Sequence, residues 1–66
     1  MTVKLDEKWS RKLADLPETS MGSQHVDIFL RGNHVIRDVP VFNAEECHSP
    51  EYFDPKDVVD VQLHAH

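Results

Sequence analysis

Six side chains in this 66-residue chain have the chemistry of metal ligands or proton carriers. They are His25, His34, His48, His64 and His66, with the single cysteine Cys47. His64 and His66 lie two apart, so they share a face if the chain ends as a strand. Two neutral imidazoles together with Cys47 or His48 would make a tetrahedral zinc set by donor type. The spacing matches no zinc pattern, and the pair sits at a chain end that frays readily. His64, His66, Cys47 and His48 are therefore the candidate ligands. Solvent-exposed histidines are the expectation, with no metal and no cofactor. Cys47-His48 also pairs a thiol with a base in sequence. Neighbours on a strand point to opposite faces, and Glu45 and Glu46 would raise a thiol pKa rather than lower it. Cys47 is expected in the core, and the chain is not expected to be an enzyme.

Other chemistry is thinly represented. Asp54, Asp57 and Asp60 recur every third position without the glycine and final glutamate of a calcium loop, so they read as caps and solvated groups. Gly22 and Gly32 are the only glycines, which leaves no phosphate-cradling loop. The aromatic residues are Trp9, Phe29, Phe42, Tyr52 and Phe53. They are more than a very small sheet encloses, and aromatics left at a surface favour protein contacts. Trp9, Leu13, Phe29 and Phe42 are the candidate interaction residues.

Any such group has to be positioned by a chain long enough for one domain only. A domain of this size buries about 60% of the surface its unfolded chain exposes. One cysteine excludes an internal disulfide and fits a reducing, cytoplasmic setting. No signal-peptide core and no membrane-length apolar run is present, so no membrane partner is expected. The formal charge is −5 and is unevenly spread. From Asp38 onward seven acids face Lys56 alone, which makes nucleic acid an unfavourable partner.

Leu5, Trp9, Leu13 and Leu16 recur at helical spacing and predict an amphipathic helix over 5–16, with Asp6 or Thr2 at its start and Pro17 at its end. Residues 17–23, PETSMGS, read as a linker, and 24–66 as a sheet or barrel. Gln24 to Asn43 reads as one hairpin. Val26, Ile28 and Leu30 form its buried face, and Arg31-Gly32-Asn33-His34 its turn. The second strand has a phase break: Val35 and Ile36 are adjacent, while Val39 and Val41 share the parity of Val35. A bulge near Arg37-Asp38 would resolve it, and Pro40 marks an edge or a bend. Asn43 to His48 is expected to hold a turn and a short third strand. Asp54-Pro55-Lys56-Asp57 predicts one helical turn with Asp54 as its cap. The last strand, about Val58 to His64, is expected to bury Val59, Val61 and Leu63.

A strand, a glycine turn, a long bent strand, a short strand, one helical turn and a last strand together resemble SH3-like and Sm-like barrels. The leading helix resembles the Sm-like branch, and VDIFLRGNHVIRDVPVFN is similar to the first Sm signature. Arg37, Asp38 and Val39 stand where that signature has its second glycine. LPETSMGSQHVDIFLRGNHVIRDVPVF with FDPKDVVDVQL also resembles a group of small bacterial proteins, from which no activity carries over. The resemblance implies a mainly β fold, a small strongly bent antiparallel sheet or SH3/Sm-like barrel of 4–5 strands with one N-terminal α-helix. The function expected is a non-enzymatic protein-interaction or self-assembling module. An Sm-like RNA- or ligand-binding protein and a small metal-binding protein are the alternatives. The expected partners are a second copy of the chain, as a dimer first, through edge strands and the helix, or another protein.

Overall fold

Alternation over Gln24–Leu30 builds an interior strand of the sheet, with a neighbour on each side. The computed structural model describes residues 1–18 and 22–65. In chain order it has β1 (Thr2–Lys4), α1 (Glu7–Ala14), β2 (Gln24–Leu30), β3 (His34–Phe42), β4 (Glu46–His48), a 3-10 turn (Pro55–Asp57) and β5 (Val58–Leu63). The strands form one antiparallel sheet in the order β1-β4-β3-β2-β5. β1 and β5 are the two ends of that order. The described residues are thus mainly antiparallel sheet, with five strands and one α-helix.

The β2–β3 hairpin forms where its turn chemistry places it. Leu30 faces His34 across a loop in which Gly32 and Asn33 both take positive φ, 76° and 61°. Glycine has no Cβ to clash there, and asparagine tolerates the same region. The pairing runs Val26 to Val39 and then Ile28 to Ile36, so β3 holds one extra residue opposite Asp27. That is the bulge expected at Arg37-Asp38, and Asp38 takes a φ of 56° to make it. The bulge restores the phase, because Ile36, Val39 and Val41 are all buried. On β3, β4 pairs with Val41 and Phe42, so at Pro40 β3 is paired on its β2 side alone. A residue without an N–H is tolerated at such a place.

Three features depart from expectation. β1 precedes the helix, and Val3 at its centre is buried opposite Cys47 of β4. The helix accordingly begins at Glu7, and Leu5 is a buried residue of the connection. Asp6 holds the N-cap position, but its side chain makes no capping hydrogen bond. On β5 the buried residues are Val58 and Val61, while Val59 is 55% exposed and Leu63 half-buried. Phe29 pairs with Asp60 and Leu30 with Val58, so Val59 is an extra residue that flips the alternation. The expected linker falls partly on residues 19–21, outside those described.

One apolar cluster joins helix and sheet. Val3, Leu5, Trp9 and Leu13 meet Val26, Ile28, Leu30, Ile36, Val39, Val41, Cys47, Phe53, Val58 and Val61. The helical stripe therefore packs on its own sheet. Gln24, itself buried, closes the end of α1: its Nε2 donates to the carbonyl oxygens of Leu13 at 2.8 Å and Leu16 at 3.1 Å. The last carbonyls of a helix lack internal partners, and a side-chain amide supplies them here. Asp54 caps the 3-10 turn as expected, accepting from the Lys56 N–H at 2.9 Å.

Candidate functional site

The residues singled out by sequence are not brought together. Trp9 is 8% exposed and Leu13 fully buried, both inside the chain's own core. Phe29 is half-buried and pairs with Val35 and Asp60 across its neighbouring strands. Phe42 is half-buried and lies against the His48 ring, with centroids 4.7 Å apart. Cys47 is buried on β4 while His48 beside it is exposed, the alternation expected of a strand. β3 and β2 stand between β4 and β5 in the sheet, which separates Cys47 and His48 from the His64 end. His66 lies outside the described residues. Among the described residues no three His, Cys, Asp or Glu side chains are placed to hold a metal ion. No described helix is long and apolar enough to cross a membrane.

Burial pushes the Cys47 thiol up to about 12. A neutral, enclosed thiol is a poor nucleophile. Iodoacetamide at about pH 8 should leave Cys47 unmodified in the folded chain and alkylate it once urea unfolds the domain. Rapid labelling without denaturant would contradict this.

Two polar arrangements on the sheet were not visible in the sequence. The first is centred on Asp27. Its position on β2 makes it outward-facing by alternation, yet it is 7% exposed. Its Oδ1 accepts from the Asp38 N–H at 3.0 Å and lies 2.8 Å from His64 Nδ1. Its Oδ2 accepts from Arg37 at 3.1 Å. The bulge aims the Asp38 N–H and the Arg37 side chain at this one carboxylate. His25 Nδ1 lies 2.8 Å from Asp38 Oδ1 and extends the network outward. Burial works against the Asp27 charge, but the Asp38 N–H, His64 and Arg37 together outweigh it and hold the carboxyl below its ordinary value. An imidazole oriented by a carboxylate is half of a general-base arrangement. Here the same carboxylate ties β2 to the bulge of β3 and to the end of β5. The sequence signal was an acid on β2 opposite the phase break of β3.

The second is a cleft of about 440 Å³ beside the β2–β3 turn. Leu30 and Phe53, both buried, form its floor. Arg31, His34, Glu51 and Tyr52 form its walls, and Asp54 and Asp57 its rim. The loop carrying Glu51 is fixed by Ser49: its Oγ donates to the Glu51 carbonyl at 2.6 Å and accepts the Glu51 N–H at 3.2 Å. His34 Nε2 lies 2.5 Å from Glu51 Oε1, joining the hairpin to the loop. On the other side the Arg31 N–H donates to the Asp57 carbonyl at 3.0 Å, and its guanidinium lies 3.6 Å from the Asp57 carboxylate. Tyr52 lines the same cleft and is 65% exposed. A smaller hollow of about 280 Å³ lies between the end of α1 and the Asn43-Ala44 turn. The Gln24 amide beside it is engaged by the helix carbonyls.

Tyr52 was counted among the aromatics, but nothing in its neighbours showed that it would stay outside while Phe53 turned inward. Compared with family models, curated proteins and solved structures, the chain matches none.

Proposed function

We propose that this chain is a non-enzymatic protein-interaction module, and that the Tyr52 cleft receives a cationic segment of another protein. The observation that carries the reading is the placement of Tyr52. A large aromatic with 65% of its surface exposed stands in a cleft whose floor is apolar and whose edges carry Glu51, Asp54 and Asp57. Tyrosine combines a broad apolar face with a hydroxyl, which suits contact surfaces. Three carboxylates against Arg31, itself paired with Asp57, leave an excess of negative charge. A lysine or arginine stem would lie on Tyr52 with its cation toward the carboxylates. The same charges repel a phosphate backbone, which sets RNA behind protein as the occupant. The long bulged β3, the 3-10 turn and the placement of β5 beside β2 support a strongly bent, SH3/Sm-like open sheet as the finer description of the fold.

A short lysine- and arginine-rich peptide, titrated against the labelled protein by NMR, tests this. Amide shifts should concentrate at Arg31, His34 and Glu51 to Asp54 and weaken with salt. Tyr52→Ala should lower the affinity about tenfold or more, as truncation of a central aromatic contact does. Tyr52 is exposed, so the variant should keep the parent's fold. Shifts spread over the whole acidic surface, or indifference to Tyr52→Ala, would refute the assignment.

A further inference from the structure

β5 ends the sheet, and its backbone shows which groups face outward. The His64 N–H donates to the His25 carbonyl at 2.8 Å, so His64 points toward β2. Antiparallel partners alternate between bonded and non-bonded pairs. Asp60 and Gln62 therefore also point toward β2, while Val61 and Leu63 present their N–H and C=O groups to the open side. The Val61 N–H is taken up within the chain: it donates to Asp60 Oδ1 at 2.8 Å. The same oxygen accepts from Lys12 Nζ of α1 at 2.9 Å, and Asp60 Oδ2 accepts from Gln62 Nε2 at 2.8 Å. One carboxylate thus occupies the middle of the exposed edge.

We infer that the outer edge of β5 is a docking edge for a second copy of this chain, and that the Asp60 carboxylate, held by Lys12, is the latch that keeps it closed. The occupant follows from the residue pattern. An antiparallel pair of β5 strands with its two-fold axis at Val61 makes Val61 and its counterpart exchange both backbone hydrogen bonds. It places Asp60 beside the other copy's Gln62, and exposed Val59 beside half-buried Leu63. Carboxylate meets amide and apolar meets apolar, with no like charges opposed. An axis at Asp60 would set two carboxylates face to face. With the latch closed, the Val61 N–H is satisfied and strand addition must first displace Asp60. Edge strands elsewhere are blunted by charged side chains in the same way. The Lys12, Gln62 and Val61 contacts that keep Asp60 ionised also keep it in place. Lys12 is its strongest partner, and the carboxyl lies below its ordinary value although burial opposes this.

Sedimentation of the whole chain from about 10 µM to about 1 mM tests the latch. The parent should remain one chain over the lower part of this range. Asp60→Ala should pair at least about tenfold more tightly, and the Val61 amide should gain protection from hydrogen exchange in the pair. Lys12→Ala, a milder change at an exposed helical position, should strengthen pairing in the same direction by less. It also keeps the test open if Asp60→Ala fails to fold. Asp60→Ala folded and still one chain at the highest concentration would overturn the inference. So would a pair in which the Val61 amide is no better protected than in the parent, since another surface would then be the interface.

Discussion

Leu13→Ala is expected to cost about 3–5 kcal/mol, lowering the melting temperature by about 15 °C or more. Leu13 is among the largest fully buried side chains, and it reaches the sheet from a helix of only eight residues. Its loss removes the transfer energy of a buried isobutyl group and leaves a cavity that the strands below are too constrained to fill. So short a helix is marginal alone, so its order depends on this contact. A domain of this size has about 3–10 kcal/mol in all, so the loss is a large share of the total. Urea denaturation followed by circular dichroism reads the loss. The midpoint should not depend on protein concentration, because the stripe serves its own chain. A midpoint close to the parent's would mean that α1 does not depend on its contact with the sheet. A concentration-dependent one would move its partner to another molecule.

Asp27→Ala should be nearly as damaging, at about 2–4 kcal/mol, although it removes no apolar group. It strands the Asp38 N–H in the bulge and deprives Arg37 and His64 of one shared partner. The pH dependence separates this from a packing defect. Asp27 ionises more readily folded than unfolded, so its stabilisation is present above the ordinary carboxylate range. It is lost as the pH falls below about 4 toward the folded value. In the parent, the urea midpoint should therefore fall through this range more steeply than in Asp27→Asn, which stays neutral throughout. Parallel profiles would show that Asp27 contributes shape and not charge.

The contacts behind these two variants were not equally legible beforehand. Trp9 and Leu13 mark a helical face by spacing alone, whatever they pack against, while Leu16, which shares that spacing, lies beyond the end of α1 at Ala14. Val26, Ile28 and Leu30 mark a strand face in the same way, and Gly32 with Asn33 mark the turn because both tolerate positive φ. The adjacency of Val35 and Ile36 before Val39 and Val41 demanded a bulge, and Asp38 forms it. Asp54-Pro55 marked the start of one helical turn. These are local consequences of backbone sterics and of side-chain period, and a sequence carries them directly.

What the sequence did not show depends on partners far along the chain. Thr2–Lys4 is too short to display a period and is a strand only because Glu46–His48 lies beside it. Val59 and Val58 exchange faces because the pairing with Phe29 and Leu30 inserts an extra residue. Asp27 is buried because Arg37, Asp38 and His64 arrive from two other strands, and Gln24 is buried because α1 ends above it. Asp60 meets Lys12 only because the helix is brought back beside β5. Tyr52 and Phe53 part company because the loop turns one ring into the core and leaves the other exposed. Periodicity determines which face of an element is apolar. Which strand lies next to which, and so which polar groups converge, is decided when distant segments pair, because those energies belong to contacts and not to any one stretch of chain.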